Sequence, residues 1–139
     1  MRIFFDTNVL IAAFVSHGVC NELFDHCLAE HTICTSARVL DELCRNLEEK
    51  FAYTRTRVEQ VAALVRQNAQ VITYDVLPSR VCRDPDDDHI LAAARTGTVD
   101  CIITGDQDLL LLQHFDGIPI LKPGDFWRFE KEEEPSRDR

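Results

Sequence analysis

The sequence predicts an α/β protein, a three-layer α/β/α sandwich around a central parallel sheet of about five strands. Short apolar segments alternate along the chain with longer segments whose apolar residues recur at helical spacing. The strand segments are apolar almost throughout, which is typical of a parallel sheet covered by helices on both faces. Right-handed crossovers are then expected between successive parallel strands.

Five short segments are predicted as strands because they combine apolar residues with β-branched or aromatic ones. They are residues 2–5 (RIFF), 31–35 (HTICT), 69–74 (AQVITY), 100–104 (DCIIT) and 118–121 (IPIL). Helices are expected between these strands. The clearest are residues 37–51 and the segment that follows, in which apolar residues recur at i, i+3, i+4 and i+7 and so share one helix face.

A single domain is predicted over residues 1–129. The chain has 139 residues, of which 45% are hydrophobic and 28% are charged, a balance typical of one globular domain. From Glu130 onward the sequence reads EKEEEPSRDR, which is charged and lacks periodicity. We therefore expect residues 130–139 to form a solvated, disordered tail.

The apolar segments and the cysteines indicate a cytoplasmic protein without a membrane span. The longest apolar runs fall far short of the roughly 20 residues that a membrane span needs. Asp6 interrupts the apolar N-terminal stretch, which excludes the apolar core of a secretion signal. The six cysteines form no C-x-x-C pair and several have apolar neighbours, so we expect reduced thiols in or near the core.

The charge balance limits the possible functions. A net charge of −9 argues against a protein that coats DNA by electrostatic attraction, but it does not exclude an enzyme that acts on nucleic acid. The sequence also contains neither a Walker motif nor a dinucleotide-binding fingerprint, which excludes the glycine-rich phosphate loops.

Four carboxylates from separate segments are predicted to meet at one edge of the sheet. Asp6 directly follows the first strand and Asp106 follows the fourth by two residues, and the carboxyl ends of parallel strands form the edge where such sheets bind ligands. Glu42 and Asp88 lie in helices that could point over the same edge. Each acid alone has a structural explanation as a helix cap, a turn former or a partner of the helix dipole.

Convergence of the four acids favours a metal site, because neighbouring carboxylates raise each other's pKa unless a cation lies between them. Oxygen ligands select a hard cation, so Mg²⁺ or Mn²⁺ is expected rather than zinc. The DPDDD stretch resembles the opening of a calcium-binding loop. His89 stands where that loop requires glycine and Arg95 where it requires glutamate, which argues against calcium.

Four motifs over about residues 1–127 resemble those of PIN-domain nucleases, particularly the small prokaryotic VapC-like toxins; in chain order they are DTNVL, LDEL, DPDDDHILAAA and TGDQDL. The resemblance implies a Mg²⁺- or Mn²⁺-dependent endoribonuclease, an RNA substrate, a cognate antitoxin and a homodimer. It places the catalytic and metal-binding acids at Asp6, Glu42, Asp88 and Asp106. It also implies an auxiliary metal ligand at Asp108 and supporting roles for Asn8 and Thr104.

The third acid allows two assignments. Asp84 fits the motif loosely, whereas Asp88 has the D-x-x-L-A-x-A spacing that resembles the family's helix, so Asp88 is predicted. In such a site, carboxylates hold one or two cations about 3.5–4 Å apart, which activate water and stabilise the leaving oxygen. Asp6 is expected to be the central ligand.

Two surface features carry weaker predictions. Contacts with the RNA backbone are predicted at Lys50, Arg55 and Arg57, although a solvated helix face is the alternative explanation. The homodimer is predicted mainly from the resemblance and partly from apolar residues expected to be exposed near the first helices. These residues include Phe14, Val15 and Phe24.

Other functions remain open. An aspartate-based phosphatase would place a second aspartate two positions after Asp6, where this chain has Asn8. A phosphotransfer receiver would require an acidic pair at the first strand and a lysine after its last strands, for which Lys122 is available but the acidic pair is missing. A catalytically inactive PIN-like interaction module is a further alternative, although it would not require the full set of acids.

Overall fold

The protein, seen in a computed structural model that describes residues 1–133, is built around a six-stranded sheet. The strands are β1 (Arg2–Phe5), β2 (Thr32–Thr35), β3 (Ala69–Val71), β4 (Cys101–Ile103), β5 (His114–Phe115) and β6 (Ile118–Leu121). Their order across the sheet is β3-β2-β1-β4-β6-β5, and every pairing is parallel except that of β5 with β6. The predicted α/β fold with a mostly parallel sheet flanked by helices is confirmed.

Seven helices connect these strands within residues 1–133. They are α1 (Thr7–Val15), α2 (Val19–Glu30), α3 (Ala37–Phe51), α4 (Arg55–Asn68), α5 (Pro85–Thr96), α6 (Gln107–Leu112) and α7 (Phe126–Glu133). Several begin at a side chain that accepts a hydrogen bond from a free backbone N–H, as Asp6 does for α1, Asp84 for α5 and Asp106 for α6. Capping therefore explains part of the acidity at the helix starts.

The direction of the chain across the sheet reverses between β1 and β4. The chain runs outward from β1 through β2 to β3 and then crosses back to β4, on the other side of β1. Phe5 pairs with Ile103 at the carboxyl ends of these strands, and the backbone N–H of Asp6 donates to the carbonyl of Ile103 at 2.9 Å. Because doubly wound sheets bind ligands at such a reversal, this register brings the residues after β1 and β4 to the expected site.

The element boundaries follow the sequence predictions closely in the helices and less closely in the strands. α3 and β6 have the predicted bounds, whereas β3 ends at Val71 instead of residue 74. The sequence prediction did not include β5, a two-residue strand that pairs antiparallel with β6. The two strands are joined by a turn at Asp116 and Gly117, both of which have positive φ. A strand of two residues is too short to produce an alternating pattern in the sequence.

The core lies between the sheet and the inward faces of the helices. Ile3, Phe4 and Phe5 of the central strand β1 have no exposed surface. All six cysteines are free, and burial raises the pKa of Cys27 and Cys82 to about 12, which keeps these thiols protonated near neutral pH. No helix in the described part of the chain is both long and apolar enough to cross a membrane.

One premise of the predicted homodimer is wrong. Phe24 is buried, and its ring packs against Phe5 and Phe14 at centroid distances of 6.0 and 5.3 Å. Phe14 and Val15 are half-buried. These aromatic rings pack within one chain, so the exposed apolar surface expected there is much reduced, and the homodimer stays a prediction.

The helix α7 extends the domain past residue 129, so the predicted boundary is wrong by at least four residues. Glu130, assigned to the tail by its charged neighbours, accepts hydrogen bonds from Nε2 of His26 at 2.6 Å and Nε2 of His31 at 2.5 Å. The N-terminal ammonium of Met1 donates to Nδ1 of His31 at 3.0 Å, which leaves the proton of His31 on Nε2. Residues 134–139 of the predicted tail lie outside the described residues.

Glu130→Ala should lower the free energy of unfolding by roughly 1–3 kcal/mol, because two imidazole N–H groups lose their acceptor and the side chain of His31 is fully buried. Urea unfolding followed by circular dichroism measures the change. Glu132→Ala, exposed on the same helix, is the control and should change the free energy by less than about 0.5 kcal/mol. Equal effects of the two substitutions would contradict the docking of α7 through Glu130.

Candidate metal centre

Asp6 follows β1 directly and is buried at the edge of the sheet, with 8% of its surface exposed. Its carboxylate accepts a hydrogen bond from the backbone N–H of Thr7 at 2.6 Å and another from the hydroxyl of Thr104 at 2.7 Å. Burial raises the pKa of Asp6; the two hydrogen bonds oppose this rise, and the carboxylates of Asp106 and Glu42 add to it. Asp6 therefore lies within electrostatic reach of two other predicted acids.

Thr104 links Asp6 to Asp106. Its hydroxyl donates to the Asp6 carboxylate and accepts a hydrogen bond from the backbone N–H of Asp106 at 3.0 Å. The carboxylate of Asp106 caps α6 by accepting from the backbone N–H groups of Asp108 at 2.8 Å and Leu109 at 3.3 Å. The residue predicted to support the site thus contacts two of the candidate ligands.

Glu42 reaches the same edge from α3. Its Oε2 accepts a hydrogen bond from the hydroxyl of Thr7 at 3.0 Å, and its Oε1 lies 3.8 Å from Nε of Arg38, one helical turn earlier. Arg38 also bonds to the carboxylate of Asp86, so one guanidinium offsets the charge of two acids. Asn8, the second predicted supporting residue, lines a cleft whose walls include Asp6, Glu42, Asp87 and Asp106, called here the acidic cleft.

The structure places Asp87, not Asp88, with the other acids. Asp87 is 7% exposed, and its Oδ2 is buried without a hydrogen-bond partner in the described part of the chain. The pKa of Asp87 is raised to about 7, first by burial and then by neighbouring carboxylates, of which Asp106 has the largest effect. Asp87 is therefore the third acid of the candidate site.

Asp88, the predicted third ligand, instead holds the loop before α5. Its carboxylate accepts hydrogen bonds from the backbone N–H groups of Val81 at 3.1 Å and Cys82 at 2.8 Å. Adjacent side chains on an α-helix point about 100° apart, so Asp88 faces a different direction from Asp87. These two N–H groups need an acceptor from α5 only because of the way the loop folds against that helix. The sequence shows no pattern for this contact.

A signal for Asp87 does exist in the sequence. Four buried residues of α5 recur at i, i+3, i+4 and i+7, the spacing of one helix face. They are Asp87, Ile90, Leu91 and Ala94. An aspartate in register with the apolar face of its own helix is directed inward, where a carboxylate requires compensation.

The acids form a group that can accept a hard cation. Asp87, Asp106 and Asp108 each offer one carboxylate oxygen, and the three oxygens lie within 4.8 Å of one another. Asp84, the alternative third acid, caps α5 through the backbone N–H of Asp86 at 2.9 Å. A set made only of carboxylate oxygens, one of whose members is a buried aspartate, fits Mg²⁺ or Mn²⁺ rather than a soft metal.

Two arginines at the cleft were not selected from the sequence. Arg38 lies one helical turn before Glu42, a spacing that the sequence does show, and Arg83 donates to Asp108 at 2.7 Å. The hydrogen bond from Arg83 depends on the fold of the loop before α5, so no local pattern reveals it. Arg38 thus places positive charge in the cleft, and Arg83 places it on an acid that lies beside Asp87 and Asp106.

The predicted RNA-binding residues are divided by the structure. Lys50 lines the acidic cleft. Arg57 lies over the ring of Tyr53, with 4.1 Å between the guanidinium carbon and the ring centre, and lines a separate groove. Arg55 is exposed at the start of α4. Of the three predicted residues, Lys50 therefore lies with the acids, whereas Arg57 lies in a different groove.

A family model described as PIN domain matches residues 2–108. The chain belongs to the PIN-domain family. Members of this family are generally nucleases and generally use divalent metals. The PIN domain is similar in structure to a chain of VapBC2 from Rickettsia felis, solved bound to a DNA fragment from their promoter, with a TM-score of 0.63 and 12% identity over 88% of this chain and 98% of that chain. This similarity shows a shared fold. No curated protein sequence matches the chain significantly.

In the PIN domain without metal, Asp87→Asn should raise the free energy of unfolding near neutral pH. The pKa of Asp87, about 7 in the folded protein, lies above its ordinary value of 3.8, so the folded state binds more protons than the unfolded chain between these values. Stability of the wild type therefore falls as the pH rises through this range. The asparagine does not titrate, so the gain should reach about 1–3 kcal/mol near pH 8 and vanish near pH 4.

Asp88→Asn tests the neighbouring position and should lower the free energy of unfolding by about 1 kcal/mol, because the amide keeps only one of the two oxygens that accept from the loop. Asp25→Asn, exposed on α2, is the control for surface charge. Urea unfolding in EDTA over the same pH range compares the three variants. A loss of stability in Asp87→Asn as large as that in Asp88→Asn would contradict the placement of Asp87 among the acids.

Proposed function

We propose that this PIN domain is a cytoplasmic, Mg²⁺- or Mn²⁺-dependent endoribonuclease that hydrolyses RNA phosphodiester bonds. The observation that carries the proposal is the buried Oδ2 of Asp87, which has no hydrogen-bond partner in residues 1–133, on a side chain whose carboxylate lies beside those of Asp106 and Asp108. A buried carboxylate oxygen without a donor is costly unless a cation compensates it. Helix capping, which accounts for Asp84, does not supply that compensation.

Five acids are proposed as metal ligands. They are Asp6, Glu42, Asp87, Asp106 and Asp108. A divalent cation in such a site supplies activation of a water nucleophile and stabilisation of charge at the phosphate. Thr7 and Thr104 hold the carboxylates of Glu42 and Asp6 by hydrogen bonds, so these oxygens are positioned before substrate binds.

Cationic side chains around the cleft support a polyanionic substrate. Arg38 and Lys50 line the cleft, and Arg83 reaches the same acids through Asp108. Basic groups beside the ligand set can hold phosphates on either side of the bond that is cleaved. Arg55 and Arg57 are proposed to contact RNA further from the metal centre.

We propose further that the chain is the toxin of a toxin–antitoxin pair. The fold shared with the VapBC2 chain supports this role, together with the four VapC-like motifs. A cognate antitoxin would hold the nuclease inactive, and a homodimer is proposed as the active assembly. Both partners are proposals from similarity, and each is independent of the metal chemistry.

Purified protein should cleave RNA in the presence of Mg²⁺ or Mn²⁺, and EDTA should abolish this cleavage. Asp87→Asn should lower the cleavage rate by orders of magnitude, because the loss of a ligand weakens both water activation and charge stabilisation. Asp88→Asn should keep the rate within about tenfold of the wild type, since its carboxylate serves the loop. Single-turnover cleavage of pooled RNA, with single-stranded DNA beside it, measures the rates.

Two further results decide whether the metal acts at this site. Mn²⁺ should raise the melting temperature of the wild type more than that of Asp87→Asn, because a ligand that binds only the folded state stabilises it by mass action. Asp25→Asn should match the wild type in both the cleavage rate and the metal-induced shift. Cleavage that continues undiminished in EDTA would refute the metal mechanism.

Expression of the wild type in a prokaryotic host should arrest growth, whereas Asp87→Asn should be tolerated at equal protein levels, because toxicity requires cleavage of cellular RNA. Growth curves with immunoblots of both proteins measure this difference. Asp25→Asn should be as toxic as the wild type. Growth that is unaffected by a wild-type protein shown to cleave RNA in vitro would reject the toxin role while leaving the nuclease intact.

A further inference from the structure

The first turn of α5 separates the acidic cleft from a second cavity. This second cavity has a volume of about 340 Å³, and its apolar walls are formed by Val76, Leu77, Pro78 and Pro85. The acidic cleft lies on the side of the turn that carries Asp87, and the apolar cavity lies on the side that carries Asp88. His89 lines both, so the two cavities are neighbours along one helix turn.

The walls of the apolar cavity are fixed by hydrogen bonds, although residues 72–84 contain no helix or strand. The carboxylate of Asp88 accepts from the backbone N–H groups of Val81 and Cys82, which ties the end of this loop to α5. The hydroxyl of Tyr74 lies 2.8 Å from Nδ1 of His89, which ties the beginning of the loop to the same turn. The cavity is therefore formed before any ligand binds.

The chemistry of the paired cavities matches the two parts of a nucleotide. A phosphate needs cations, which the proposed metal centre and Arg38 provide in the acidic cleft. A base needs an apolar surface with a few polar groups, which the second cavity provides through its proline and aliphatic walls and through Asp88 and His89. Single-stranded RNA is recognised mainly by bases that leave the stack and enter such sites.

We propose that the cavity beside the first turn of α5 binds a nucleobase of the RNA strand, next to the phosphate that is cleaved. The proposal rests on the proposed nuclease function and adds a specificity subsite to it. Val76, Pro78 and Pro85 contact the faces of the base, while Asp88 and His89 shape the floor. Occupancy of this subsite favours cleavage at positions whose neighbouring base fits.

Val76→Trp tests the subsite by filling the cavity. Val76 is 68% exposed, so the larger side chain does not disturb the core. Val19→Trp is the matched control, because Val19 is 44% exposed at the start of α2. Asp6 precedes the first residue of α1 and Val19 follows the last, so the length of α1 separates them. Val76→Trp should lower kcat/KM at the preferred cleavage sites by about tenfold or more and change the distribution of sites, whereas Val19→Trp should do neither.

A single abasic nucleotide, moved stepwise along a short RNA oligonucleotide, identifies the base that the cavity binds. In the wild type and in Val19→Trp, one abasic position should reduce cleavage at the neighbouring bond. In Val76→Trp the same abasic position should have no further effect, because the cavity no longer accepts a base. Identical cleavage maps for the two tryptophan variants, or an abasic effect that persists in Val76→Trp, would overturn the proposal.

A binding measurement keeps the subsite testable if the wild type cleaves no RNA, which would be the failure of the proposed function. Both tryptophans are placed in the Asp87→Asn background, and each protein is titrated with the intact oligonucleotide. The Kd of each protein for the oligonucleotide, carrying a fluorescent label, is then compared. A Kd several-fold higher for Val76→Trp than for Val19→Trp supports the subsite without any cleavage, because the filled cavity no longer accepts a base. Equal Kd values, or no binding by either protein, overturn it.

Discussion

Repulsion among carboxylates in a poorly solvated cleft is the constraint on which this site depends. Asp6 and Asp87 are both buried at the edge where β1 and β4 end, and the pKa of each is raised by burial and by neighbouring carboxylates. The fold offsets this repulsion unevenly. Asp6 receives two hydrogen bonds, from Thr7 and Thr104, whereas Oδ2 of Asp87 receives none within residues 1–133. A cation at Asp87 would supply the compensation that this oxygen lacks.

The sequence predicted those features that depend on local pattern. Asp6 and Asp106 follow the carboxyl ends of β1 and β4, and α3 has the bounds that its apolar face predicted. The metal-binding roles of the two aspartates stay predictions. The structure differs from the prediction at Asp88 because adjacent residues of α5 point about 100° apart, so Asp87 faces the cleft and Asp88 faces the loop. Motif spacing alone does not distinguish these two directions. The alignment of Asp87 with the apolar face of α5 indicates the acid that faces the cleft better than the motif spacing does.

The C-terminal boundary failed for a different reason. Glu130 lies in a run of charges that is typical of a solvated tail, and its partners are two histidines about 100 residues earlier in the chain. Burial raises the pKa of Glu130, but the hydrogen bonds from His26 and His31 outweigh that effect and lower it. A charged residue can thus fix a helix to the core when its partner is distant in sequence, which no local pattern reveals.

The aspartates of DPDDD each have a different role, which explains why so much negative charge precedes an apolar helix. Asp84 caps α5, Asp86 pairs with Arg38, Asp88 holds the preceding loop and Asp87 faces the cleft. The N-terminus of α5 carries the positive end of the helix dipole, which stabilises neighbouring anions. Three of the four aspartates therefore fix the turn on its other sides. Asp87 is held in the cleft by this arrangement, because rotation of the turn to relieve its charge would break the contacts of the other three.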